Sequence, residues 1–160
     1  MIMHEGEFSQ LIDKDKYQVF LLGSPLPIPL NFAIHTWFVI QLKGKIHRWE
    51  FGRFRGSPHK NGIGVLKDYL KPTDGMNIPF WRSSPRFSAQ LINFIEGGDH
   101  SMAHKLALTI ETKSNAYPFK NIYALKGPNS NSYMQWILNE FPNSDLKLPW
   151  NAFGKGFKFK

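Results

Sequence analysis

Cysteine is missing from all 160 residues. Disulfides, thiolate metal sites and a cysteine nucleophile are therefore excluded, and a reducing compartment is compatible with the chain. Long hydrophobic runs are missing too. The most apolar stretch, "YQVFLLGSPLPIPLNFAIHTWFVI", is broken by prolines, Asn31 and His35, so nothing approaches the ~18 apolar residues of a membrane helix. The first residues, "MIMHEGEFSQ", carry charge too early for a secretory signal. A cytoplasmic location is expected. Acidic residues are scarce, 12 against 20 Lys and Arg, leaving a net charge of +8. Such a surface tolerates polyanions, and the tail "GKGFKFK" concentrates part of that charge. No repeat or low-complexity linker divides the chain, and one domain over residues 1–160 is the reading.

Aromatic residues make up 15% of the chain, led by 14 Phe, which is ring area that only a packed core can bury. Residues Tyr17 to Gly23 read as a strand, and "SPLPIPLN" as a loop. "AIHTWFVIQL" reads as a strand buried on both faces. After a turn at "KGK" the chain returns as "IHRWEFGRF". Residues 55 to 85, rich in Gly, Pro, Asn and Ser, form an excursion with a short helix near "VLKDYL". "FSAQLINFIE" is a further strand. In "GGDHSMAHKLALTIETK" the stripe Ala103, Leu106, Ala107, Ile110 predicts a helix with Asp99 as its cap. "NIYALKG" reads as a strand, and a last helix carries Met134, Ile137, Leu138 and Phe141. Strands followed by helix, strand and helix predict an α+β domain, with helices packed on a mainly antiparallel sheet.

That last helix opens with "GPNSNSYMQWIL". Asn129 is a good cap, and Ser130 falls in the first turn, four residues before Met134, on the face turned toward the sheet. There a hydroxyl either serves the cap or meets the helix's positive end as a nucleophile. His35, inward-facing on its strand beside Trp37 and Val39, is the nearest thing to a base, although core histidines are common. In a hairpin closed at Lys43-Gly44-Lys45, His35 falls opposite Gly52 or Arg53. Glu50 is then closer to it than His47, and the orienting partner is Glu50 first and His47 second. A solvated Glu50 answering Arg48 and Arg53 is an equal reading.

The residues also carry resemblances. "HTWFVIQLKGKIH" followed much later by "NSNSYMQWIL" resembles the circularly permuted papain-like superfamily, which includes lecithin–retinol acyltransferase-like and NlpC/P60-like proteins. There a strand His precedes a nucleophile at a helix start, within an Asn-Cys-Glu-His-Phe type motif. The resemblance implies a base at His35, a nucleophile position at Ser130, and His47 as a candidate third group. It implies a hydrolase or acyltransferase acting on acyl or amide bonds, with Ser in place of Cys. A serine alcohol needs a well-placed base, so a retired catalytic site is an equal reading. More closely, the chain resembles an uncharacterised bacterial family of unknown function. The shared marks are "HTW", "WEF", "YPF", "GPNSNSY" and "LPWNAFGK", spread over residues 30–155.

Asn129, Asn131, Trp37 and Gly127 are the expected substrate-binding neighbours. A small-molecule, lipid or peptide substrate suits such a site, and neither cofactor nor metal is expected. His100 and His104 have the i, i+4 spacing of a two-His metal site, but they lie off the apolar stripe and lack a third ligand. The glycines and basic residues of "GRFRGSPHKNGIG" match no phosphate-binding fingerprint. Two alternatives remain open: a non-catalytic relative that binds a ligand or protein in the same groove, and a nucleic-acid binder that uses Trp37, Trp49, Phe80, Trp81 and Trp136 as stacking surfaces.

Overall fold

The structure is a computed structural model that describes residues 2–54, 56–75 and 88–158. Five apolar-rich segments form strands: β1 (Tyr17–Pro25), β2 (Ile34–Leu42), β3 (Lys45–Arg53), β4 (Ile63–Lys67) and β5 (Gln90–Gly97). They form one antiparallel sheet in the order β4-β3-β2-β1-β5. Three helices accompany it: α1 (Glu5–Leu11), α2 (Met102–Lys113) and α3 (Ser130–Leu138). The α+β class and the antiparallel sheet stand as expected.

The β2–β3 hairpin turns on two residues, Lys43 and Gly44, both at positive φ (47° and 94°). That turn fixes the register, with Leu42 opposite Lys45, Ile40 opposite His47 and Phe38 opposite Trp49.

Both faces of the sheet are covered, which explains why its central strands lack polar alternation. On one face, Val19, Leu21, Phe38, Ile40, Trp49 and Phe51 pack with Leu106 and Ile110 of α2 and with Tyr133, Met134 and Ile137 of α3. Each such side chain contributes roughly 1.5–3 kcal/mol on burial. On the other face a smaller core joins Met3 and Phe8 to Phe20, Leu22, Trp37, Val39 and Ala89.

Three local expectations are corrected. The segment begun by "VL" is not helical: its apolar residues complete β4, which pairs along β3. "NIYALKG" is a chain of turns rather than a strand. Ser101, not Asp99, caps α2 by accepting the His104 N–H at 3.1 Å, and Asp99 pairs with Lys43 at 3.0 Å instead. The seven-residue α1 near the start was not foreseen. Its single buried side chain, Phe8, leaves too weak a periodic signal to read. The part of the expected excursion at residues 76–85, with Phe80 and Trp81, lies outside the described residues.

Candidate functional site

The opening of α3 is capped without help from Ser130. Asn129 Oδ1 accepts the N–H groups of Asn131 (3.0 Å) and Ser132 (3.2 Å), and Ser132 Oγ accepts the Asn129 N–H at 2.6 Å. This reciprocal box satisfies the helix end. The Asn129 amide also donates to the carbonyls of Ala124, Leu125 and Phe153. Gly154, at φ +93°, lets the chain pass close by: a Cβ there would lie 2.3 Å from Asn129 Nδ2. Asn129 therefore joins three segments at one buried point. Asn129→Ala removes a cap, which alone costs about 1–2 kcal/mol, and strips several buried bonds worth roughly 1 kcal/mol each. We expect urea unfolding of this variant to show a loss of about 3 kcal/mol.

Asn131 locks α3 to the sheet. Its Oδ1 accepts the Thr36 hydroxyl at 2.7 Å, and its Nδ2 donates to the carbonyls of Ile34 and Phe153. Ser130 is left to other work. It is 2% exposed and lines the same cavity as Tyr123. Burial raises the Tyr123 pKa, and the neighbouring Ser130 only partly offsets that, so Tyr123 keeps its proton at neutral pH.

Across the sheet lies a charged cluster. His35 leaves β2 on the face opposite α3, the face it shares with Trp37 and Val39. Its Nε2 is 3.1 Å from Glu50 Oε2. The same Glu50 oxygen accepts from Arg48 Nη2 at 3.0 Å, and Arg48 Nε lies 2.9 Å from Oε1. Arg48 Nη1 donates to the carbonyls of Lys71 and Asp74. Its guanidinium stacks 4.1 Å from the centre of the Trp37 ring. All three ionisable side chains are buried.

Burial pushes the Glu50 carboxyl upward, but the charge of Arg48 and the bonds from His35 and Arg48 outweigh it. The net shift is below the usual carboxylate range. Burial lowers the Arg48 pKa more than Glu50 restores it, yet a guanidinium starts so high that it stays charged.

The two groups meet at the end of the sheet where β2 begins. A cavity of about 220 Å³ is lined by His35, Tyr123, Ser130, Asn129 and Asn131, with Leu26, Leu30, Ala33, Ile34, Leu125 and Phe153 supplying apolar walls. A second cavity of about 120 Å³ has His35 and Tyr123 in its lining too, with Glu50 and Arg53. His35 Nε2 is taken by Glu50, whereas Nδ1 is buried without a hydrogen-bond partner among the described residues. Thus Ser130 and His35 share a cavity but not a hydrogen bond.

The other expected site residues fall elsewhere. His47 bonds Asp68 at 2.7 Å. It pairs with Ile40, five residues along β2 from His35, or roughly 16 Å at strand rise. Glu50 therefore holds the imidazole and His47 does not. Trp37 is buried on the opposite face, with its Nε1 donating to Pro72 O. Gly127 precedes a cis proline and approaches Phe157. Neither lines the shared cavity. Trp37 and Trp49 are buried and offer no face for stacking bases.

The N–H groups of Asn131 and Ser132 are occupied by the cap, and the Tyr123 side chain shares the cavity beside Ser130.

His104 stacks on Tyr17 with ring centres 4.0 Å apart, and its Nδ1 accepts the His100 N–H. Among the described residues no group of three ligating side chains gathers, and no helix is long and apolar enough to cross a membrane.

Sequence reasoning missed Arg48 and Tyr123 as members of the site. Arg48 was detectable from its i, i+2 spacing to Glu50, which places both on one strand face. Tyr123 sits in a loop, where no periodicity points to its direction.

No curated protein and no solved structure matches the chain. A family model described as a protein of unknown function, DUF3750, matches residues 19–157. With most of its length covered, the chain belongs to the DUF3750 family.

Proposed function

We propose that the chain is a serine hydrolase or acyltransferase acting on acyl or amide bonds. One observation carries this reading: Glu50 engages Nε2 of a buried histidine whose other nitrogen has no partner, beside a cavity shared with Ser130. In the proposed reaction Ser130 Oγ turns toward His35 and gives its proton to Nδ1. Oγ then bonds to the substrate carbonyl carbon. The Tyr123 O–H donates to the oxyanion, replacing the backbone donors used by the cap. As the C–O or C–N bond breaks, the alcohol or amine leaves with the proton from His35. Water or an acceptor alcohol then discharges the acyl-serine by the reverse proton path. Glu50 holds the ring, and Arg48 holds Glu50.

The motif order, with histidine on an early strand and the hydroxyl at a later helix start, supports a permuted papain-like arrangement for this domain. The test is turnover of p-nitrophenyl acyl esters. Ser130→Ala should reduce it to background, and Tyr123→Phe should lower kcat by about 10²-fold, as loss of an oxyanion donor does. Wild-type turnover equal to that of Ser130→Ala would end the catalytic reading.

A second reading is a binding pocket without turnover. His35 Nδ1, left without a bond to Ser130 among the described residues, favours it. Retention of the biological effect by Ser130→Ala would select it.

A further inference from the structure

Beside the shared cavity runs a larger apolar groove of about 410 Å³, lined by Phe32, Leu125, Lys126, Phe153 and Phe157 with Gly154 and Gly156. Leu125 and Phe153 line both spaces, so the groove leads toward Ser130. Its size falls within the ~300–1,000 Å³ of small-molecule sites. Phe32 and Phe153 meet edge to face at 5.6 Å and form one wall. Yet Phe32 stays 53% exposed and Leu125 50% exposed. Apolar surface left open beside a cavity marks a place where something docks.

The charge around the groove is one-sided. The stretches that build it, residues 26–35, 122–131 and 150–158, contain no Asp or Glu but carry Lys126, Lys155 and Lys158. Lys155 is tied to the carbonyls of Leu148 and Pro149. Among the described residues no carboxylate pairs with Lys126. An apolar channel with a cationic, acid-free surround complements a molecule with a hydrocarbon body and a negative charge.

We propose that this groove binds the chain of a monomeric anionic amphiphile, a long-chain acyl compound whose carbonyl end reaches the cavity at Ser130. This deepens the acyl-transfer reading and rests on it for the orientation of the chain. The apolar walls supply affinity through burial, and the lysines raise the encounter rate with anions.

The probe is 11-(dansylamino)undecanoic acid, used below its micelle concentration, with its fluorescence gain read on titration. Wild type should show a saturable gain. Leu125→Asp and Phe153→Asp, checked for folding by circular dichroism, should bind at least tenfold more weakly. Lys126→Glu should weaken binding severalfold, and less so in high salt. Unchanged binding in both Asp variants would overturn the proposal. So would retention on anionic vesicles or polynucleotide without binding of the monomeric probe, or self-association abolished by the same Asp substitutions. Probe binding without ester turnover would sink only the catalytic reading. Turnover of short esters without probe binding would sink only this one.

Discussion

Glu50→Ala is expected to lower the unfolding free energy by about 3–5 kcal/mol, because it strands the buried guanidinium of Arg48 without a counter-charge. A domain of this size holds roughly 5–15 kcal/mol in total, so the urea midpoint should drop sharply. The Arg48→Met/Glu50→Leu pair should recover much of the loss, since removing both charges removes the desolvation penalty with them. It should not recover all of it, because the carbonyls of Lys71 and Asp74 lose their donor.

The same pair sets a pH dependence. The Glu50 carboxyl is held below its usual range in the folded state. Its contribution is therefore fully present above the unfolded-state pKa of ~4.3. It is lost as pH falls through the lower folded-state value. Stability of the wild-type chain should fall in that acid window more steeply than stability of Glu50→Gln. Parallel curves would show that the ion pair adds nothing to folding.

His35→Ala should cost about 10²–10⁴ in ester turnover, the range expected when a positioned base is removed. Its effect on stability should be far smaller than that of Glu50→Ala, since Arg48 and Glu50 keep each other. This contrast separates a proton acceptor from a packing residue. His47→Ala should leave turnover within about twofold of wild type, because Asp68 holds that ring at the other end of the hairpin.

What could be read in advance was what is local. The stripe Ala103, Leu106, Ala107, Ile110 and the set Met134, Ile137, Leu138, Phe141 located α2 and α3 because helical packing repeats every few residues, although α3 ends at Leu138 and leaves Phe141 beyond it. The preference for Glu50 over His47 followed from the register alone, once the Lys43-Gly44 turn was placed. Much of what escaped depended on distant partners. β4 has a composition that suits either element, and only the open edge of β3 makes it a strand. The cap of α2 is Ser101 rather than Asp99 because the helix begins at Met102, which leaves Asp99 two residues too early to reach its free N–H groups. Tyr123 joined the site through a turn-rich loop. The competition for helix N–H groups at α3 emerged only from the Asn129 side chain, which reaches them first.

Two sheet faces also had to be distinguished. Ile34, Phe38 and Ile40 pack on the side of α2 and α3, while Trp37 packs on the other side with Phe8 of α1. Strand alternation gives that parity but not which face the helices cover. His35 reaches Ser130's cavity because it is the second residue of β2, where the sheet ends.

The most direct test is intact-mass spectrometry after exposure to a fluorophosphonate, followed by peptide mapping. One adduct should form, on Ser130, and it should vanish in a folded His35→Ala variant. An unlabelled wild-type chain, or labelling undiminished without the imidazole, would contradict the pairing of Ser130 with His35.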